Sequence, residues 1–129
     1  MTDDRVETAR RLYDAFAAGD MAVLGDLLGA TDWHEAEGMP YGGRYTGLAE
    51  IAAHVFGPIA DDVEDFSAAA DDIAPLGKTR VAAFGHYRGK GAKGEVDVPF
   101  AHIWTVIDGK MERFVQYADT HLFRQATGL

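Results

Sequence analysis

EVDVPFAHIWTVI at residues 95–107, DG at 108–109 and KMERFVQYADT at 110–120 decide how this chain folds. Two runs rich in β-branched and aromatic residues flank an Asp-Gly pair, the signature of a tight hairpin. Side chains alternate along a strand, so Phe100, His102 and Trp104 share one face and Ala101 and Ile103 the other. Both faces are apolar, which predicts a strand covered on both sides. On the second run Val115, Tyr117 and Asp119 share a face. A two-residue turn pairs Ile107 with Lys110. That register sets His102 opposite Val115, with Tyr117 diagonal to it and Asp119 one pleat further on.

Working outward, residues 79–88 and 66–74 read as two more strands. They are bounded by Gly77-Lys78 and by GKGAKG at 89–94, both turn signals. Helical periodicity precedes them. Val6, Ala9, Leu12, Tyr13, Phe16 and Ala17 recur at three- and four-residue spacing over 4–18, with Asp4 and Glu7 as a capping box and Gly19 as a stop. Asp20 caps a short helix over 21–28, closed by Gly29. Residues 31–37 predict a short strand and 38–47 a glycine-rich loop. A third helix over 48–56 stops at Gly57-Pro58. Helices come first and an antiparallel meander last, an α+β order. The 129 residues predict one domain, spanning 1–129.

Composition removes several classes of function. Apolar residues make up 47% and charged residues 26%, which excludes a disordered chain. The net charge of −9 repels phosphate backbones and anionic membrane surfaces, so neither nucleic acid nor membrane is expected as a partner. No apolar run approaches the ~20 residues needed to span a bilayer. The polar N-terminus MTDDRVETAR does not read as a signal peptide. With no cysteine there is neither disulfide nor thiolate chemistry, which suits the cytoplasm. Ser67 is the one serine and has no G-x-S-x-G around it. GKGAKG has the letters of a dinucleotide loop, but a strand rather than a helix follows it. His34-Glu35 begins like H-E-x-x-H, yet Gly38 stands where the second histidine belongs. Neither metal nor cofactor is expected.

What remains for chemistry is carboxylate, imidazole and phenol. Trp33, Glu35 and Glu37 share one face of the 31–37 strand, with His34 opposite. Tyr13, His86, His102, Tyr117 and Asp119 complete the set. A histidine among aromatics is commonly a hydrogen-bonded core residue. The acidic patch Asp61, Asp62, Glu64, Asp65, Asp71 and Asp72 reads as a solvated face or turn.

LYDAFAAGD near the start, WHEAEGMPYGGRYTG, VPFAHIWTVIDGKMERFVQYADT and the element order resemble the NTF2-like superfamily. More narrowly they resemble SnoaL-like and ketosteroid-isomerase-related proteins, over about residues 4–122. The resemblance implies a cone-shaped roll, in which a strongly curved antiparallel sheet packs on three N-terminal helices around an apolar pocket. It also implies a homodimer. Carried over, the isomerase's general base falls at Glu35, within Glu35–Glu37, and its long-strand acid at His102. Its helix-one tyrosine position falls on Leu12, with Tyr13 one residue away.

The function expected is a cofactor-free isomerase or polyketide-cyclase type of enzyme, moving a proton alpha to the carbonyl of an apolar small molecule. His102, Asp119 and Glu35 are the candidate catalytic residues, and Tyr13, Trp33, Phe100, Trp104 and Tyr117 the candidate pocket lining. Glu35, Glu37 and Asp119 all stand as possible bases. His102 and Asp119 are expected to meet at the polar end of the pocket. The alternative is a non-catalytic ligand-binding or scaffold domain on the same fold.

Overall fold

The computed structural model describes residues 3–129. Helices α1 (Asp4–Ala18) and α2 (Met21–Leu28) lead to strands β1 (Asp32–Glu35) and β2 (Gly43–Thr46). Next comes one continuous helical stretch of three parts: α3 (Gly47–Ile51), a π-turn (Ala52–Phe56) and α4 (Gly57–Asp62). Strands β3 (Glu64–Leu76), β4 (Arg80–Lys90), β5 (Glu95–Ile107) and β6 (Lys110–Ala118) follow, then α5 (Thr120–Thr127). Six strands form one curved sheet in the order β2-β1-β6-β5-β4-β3. The meander β3 to β6 is antiparallel, while β1 joins β6 in parallel. The architecture is therefore α+β, with helices held in the concave side of the sheet. No helix among the described residues is long and apolar enough to cross a membrane.

Caps define the helices. Asp3, one residue earlier than expected, caps α1 by accepting from the backbone N–H groups of Arg5 and Val6. Gly19 ends it in the left-handed region at φ 66°, and Asp20 caps α2 through Val23 N–H. The α1 stripe Val6, Ala9, Leu12 and Tyr13 is buried against the sheet.

Gly57-Pro58 does not end the third helix. Pro58 lacks an N–H and its ring would collide with a carbonyl four residues back. Widening the preceding turn relieves that collision, and Gly57 N–H bonds back to Ala52 C=O across the π-turn. The helix then continues to Asp62, directing Val55, Phe56 and Ile59 at the sheet. Two further elements went unpredicted. Strand β2 lies inside the supposed 38–47 loop, too short for its alternation to register. Helix α5 begins where the last strand was expected to continue, because the Asp119 carboxylate accepts from Leu122 N–H and starts a new helix.

Bulges bend the sheet. β3 slips register between Ala70 and Asp72, opposite Gly85 of β4. A Cβ on Gly85 would sit 1.9 Å from the Ala69 carbonyl oxygen, so the fold needs glycine at that kink. The second decisive bulge lies in β6. Ile107 pairs with Lys110 and Val106 with Met111, as expected from the turn, but Thr105 then pairs with Arg113. The extra residue, Glu112, shifts all later pairs by one, so His102 faces Gln116 rather than Val115. With a side-chain period of two, this slip exchanges the faces. Phe114 and Gln116 point inward and are buried, while Tyr117 is 59% exposed.

Candidate active site

Between α1, the π-turn and the concave sheet lies a cavity of about 540 Å³. Its walls are mostly apolar and aromatic, with Phe16, Trp33, Phe56 and Phe66 prominent. Its exposed lining, at Asp14, Ala17, Ser67 and Ala69, places the mouth between α1 and β3. Its floor is polar and fully enclosed. There Glu35, Tyr13, Tyr87, His102 and Gln116 come together.

His102 is held on both sides. Its Nδ1 lies 2.5 Å from the Tyr13 hydroxyl and its Nε2 lies 2.6 Å from the Tyr87 hydroxyl. Phe100 stacks on the imidazole at 3.8 Å between ring centroids. Each tyrosine oxygen also accepts from a fixed donor. Trp104 Nε1–H donates to Tyr13 at 2.9 Å, and Gln116 Nε2–H donates to Tyr87 at 2.8 Å. The Gln116 carboxamide is oriented by Ala36 N–H, which donates to its Oε1 at 2.9 Å. Burial pushes the His102 pKa well below its ordinary value, so the ring is neutral. The same cause raises both tyrosines far above theirs.

Glu35 is 0% exposed, the one buried acidic side chain among the described residues. Trp33 Nε1–H donates to its Oε1 at 3.0 Å, while its Oε2 has no partner. Burial pushes its pKa up to about 7, and the Trp33 indole and Gln116 amide partly oppose that rise. A carboxyl poised there exchanges a proton readily near neutral pH. Lining the cavity, that unpartnered acceptor is open to a hydrogen-bond donor from a bound molecule.

The arrangement corrects several sequence expectations. His102 and Asp119 do not meet: Asp119 is exposed and its carboxylate is spent on the α5 cap. Tyr117 lies on the convex face, turned outward by the β6 bulge. Phe100 and Trp104 stand behind the floor, against His102 and Tyr13, rather than lining the cavity. Glu37 is exposed and pairs with His34 at 3.0 Å. His86 pairs with Asp71 at 3.3 Å on the outer surface. Tyr13, not its neighbour Leu12, presents the hydroxyl from α1. Tyr87 and Gln116 were missed. Alternation from Val81 through Ala83 and Gly85 pointed Tyr87 inward, a signal that was readable. Only the bulge turns Gln116 inward, hinted at by the three-residue spacing of Met111 and Phe114. Among the described residues no three His, Cys, Asp or Glu side chains converge as a metal site.

The pattern of a SnoaL-like domain matches residues 9–114. This chain belongs to the SnoaL-like family. No curated protein matches it. Solved structures resemble this SnoaL-like chain over nearly its whole length. An NTF2-like protein from Burkholderia thailandensis E264 is 28% identical with a TM-score of 0.86, covering 98% of each chain. TerC, co-crystallised with polyporic acid, is 25% identical with a TM-score of 0.84, covering 96% of this chain and 98% of its own. A putative SnoaL-like polyketide cyclase from Shewanella denitrificans OS-217 shares the fold at 14% identity, with a TM-score of 0.75 and 97% of each chain covered. The family and the NTF2-like fold are thus established.

Proposed function

We propose that this SnoaL-like protein is a cofactor-free acid–base enzyme of the isomerase or cyclase type, acting on an apolar carbonyl compound. The observation that carries the proposal is the unpartnered Oε2 of a fully buried Glu35 beside an aromatic cavity. Glu35 as carboxylate takes the proton from the carbon alpha to the carbonyl. The carbonyl oxygen, gaining negative charge, is held by a tyrosine hydroxyl of the floor. Glu35 then returns the proton to carbon, so nothing is consumed. His102 does not touch the ligand in this scheme, because both ring nitrogens are occupied by Tyr13 and Tyr87. It is a positioning residue. TerC's co-crystallisation with polyporic acid supports the small-molecule reading.

The test needs no knowledge of the natural substrate. A panel of apolar ketones, incubated with the protein in D2O, is followed by mass spectrometry for deuterium at the alpha carbon. Enzyme-dependent exchange that falls at least ~100-fold in Glu35→Gln is the expected result. Binding without exchange would make the chain a ligand-binding domain, and neither binding nor exchange would overturn the reading altogether.

The same proposal includes a homodimer built on the convex face. Phe84, Ala101 and Tyr117 stand in one row across β4, β5 and β6, with Phe84 46% exposed. Light scattering should give twice the chain mass, and Tyr117→Asp with Phe84→Asp should halve it. A monomeric wild-type chain at micromolar concentration sinks this part.

A further inference from the structure

We propose that Tyr87 is the hydroxyl that donates to the ligand, and that His102, as its Nε2–H tautomer, assigns it that task with Gln116 as a second positioning residue. The proposal rests on the reading of the cavity as a carbonyl site, and it begins from a count of hydrogens. Neutral His102 has one N–H and one bare nitrogen, and each tyrosine has one O–H. Two His–Tyr hydrogen bonds use two of those three hydrogens. One hydrogen is therefore left over in either tautomer. It belongs to whichever tyrosine accepts from the imidazole N–H. That oxygen already accepts from Trp104 or Gln116, and neither hydroxyl has a third protein partner. The surplus O–H thus faces the cavity. The floor presents one free donor here and one free acceptor at Glu35 Oε2. An oxygen acceptor attached to a carbon that gives up a proton complements both.

Position decides between the two tyrosines. Tyr13 is tied to Trp104, which is fully buried and lies outside the cavity lining. Tyr87 is tied to Gln116, whose carboxamide is fixed by the backbone N–H of Ala36, the residue after Glu35. Tyr87 therefore stands on the Glu35 side. Burial raises the pKa of both tyrosines, and the Glu35 charge adds to that rise at Tyr87 but is not felt at Tyr13, where Trp104 opposes it. An anionic carboxylate favours hydrogens, not lone pairs, directed towards it. That places the imidazole hydrogen on Nε2 and frees the Tyr87 O–H for a ligand, while Tyr13 donates to Nδ1.

Nitrogen-15 NMR of the ligand-free protein reads the tautomer directly, with His102 assigned through its contact with the Phe100 ring. Wild type should show the hydrogen on Nε2. In Tyr87→Phe the Nε2 partner is gone, so the hydrogen should move to Nδ1 and bond to Tyr13. A wild-type Nδ1–H tautomer, an imidazolium, or no change in Tyr87→Phe would each overturn the proposal. If Tyr87→Phe does not fold, the wild-type spectrum decides. Binding of 2-acetylnaphthalene, followed by tryptophan fluorescence, gives a second reading. Tyr87→Phe should weaken it about tenfold and Tyr13→Phe less than about threefold; the reverse order counts against the proposal. A wild-type protein that refuses the ketone sinks the proposed function instead, and the tautomer still decides this inference.

Discussion

The two faces of the sheet use the same residue types to opposite ends. On the concave face His102, Glu35 and two tyrosines are enclosed, and every ring nitrogen and hydroxyl oxygen has a partner at 2.5–2.9 Å. On the convex face His86 meets Asp71 at 3.3 Å and Arg88 meets Asp97 at 3.6 Å, all with substantial exposure. Water and salt weaken the outer pairs to almost nothing, whereas inside the cone an unmet polar atom is costly. The difference teaches that the fold enforces geometry only where solvent cannot stand in. Glu35 Oε2 departs from that rule, and this is why it marks the site.

The largest expected effect comes from the support behind the floor. Trp104→Ala removes a fully buried indole and the donor to Tyr13. Urea unfolding should show a loss of about 3–5 kcal/mol. A loss near zero would mean that the concave face is not rigidly packed.

Glu35 comes next, and its effect depends on pH. Its pKa is raised from 4.5 to about 7 in the fold. The folded state therefore holds a proton that the unfolded state releases between those values. Stability attached to this group is present in full below 4.5 and is lost as pH rises through 7. Glu35→Gln, which stays neutral, should lack this loss. At pH 8 the variant should gain up to about 3 kcal/mol on wild type, relative to pH 4. Parallel denaturation curves at both pH values would contradict the burial argument. His102 pulls the other way: its lowered pKa makes the native state lose stability as pH falls below 6.5. Between 4.5 and 6.5 the two slopes oppose each other, so together these groups favour mildly acidic pH, and stability falls above it as Glu35 ionises.

Two smaller changes probe the outer surface. Asp119→Ala removes the α5 cap and should cost about 1 kcal/mol in thermal unfolding, with ketone affinity unchanged. An affinity change there would revive Asp119 as a site residue. His86→Ala should alter stability by less than about 0.5 kcal/mol, and 1 M salt should erase the difference. A larger effect would mean that the proposed dimer extends beyond the Phe84–Ala101–Tyr117 row to cover His86.

Most of the fold was legible because its signals are local. Periodicity placed α1 and α2, the Asp108-Gly109 turn placed the last hairpin, and alternation in β5 put Phe100, His102 and Trp104 on the inner face. Glu35 and His102 were legible as candidates because few chemically able residues survived elimination and the family resemblance carries a base and a long-strand acid onto those positions. The helix through Pro58 was not, since a proline reads as a stop unless a π-turn absorbs it.

The sequence by itself determined the α+β class, the family and the order of the main elements, though not β2, α4 or α5. It also supplied the polar residues placed inside an aromatic surround. The tertiary structure alone decided which of them meet. One extra residue in β6, Glu112, moves the register so that Gln116 replaces Tyr117 on the inner face, and Asp119 is left to begin a helix. A bulge is invisible to a rule of strict alternation, because it is set by how two strands share hydrogen bonds along a bent sheet. The pairing of Tyr13 from α1 with Tyr87 from β4 around one imidazole is likewise a meeting of residues distant in sequence. It forms because helix and sheet bury their apolar faces together, and no local pattern in the chain encodes that.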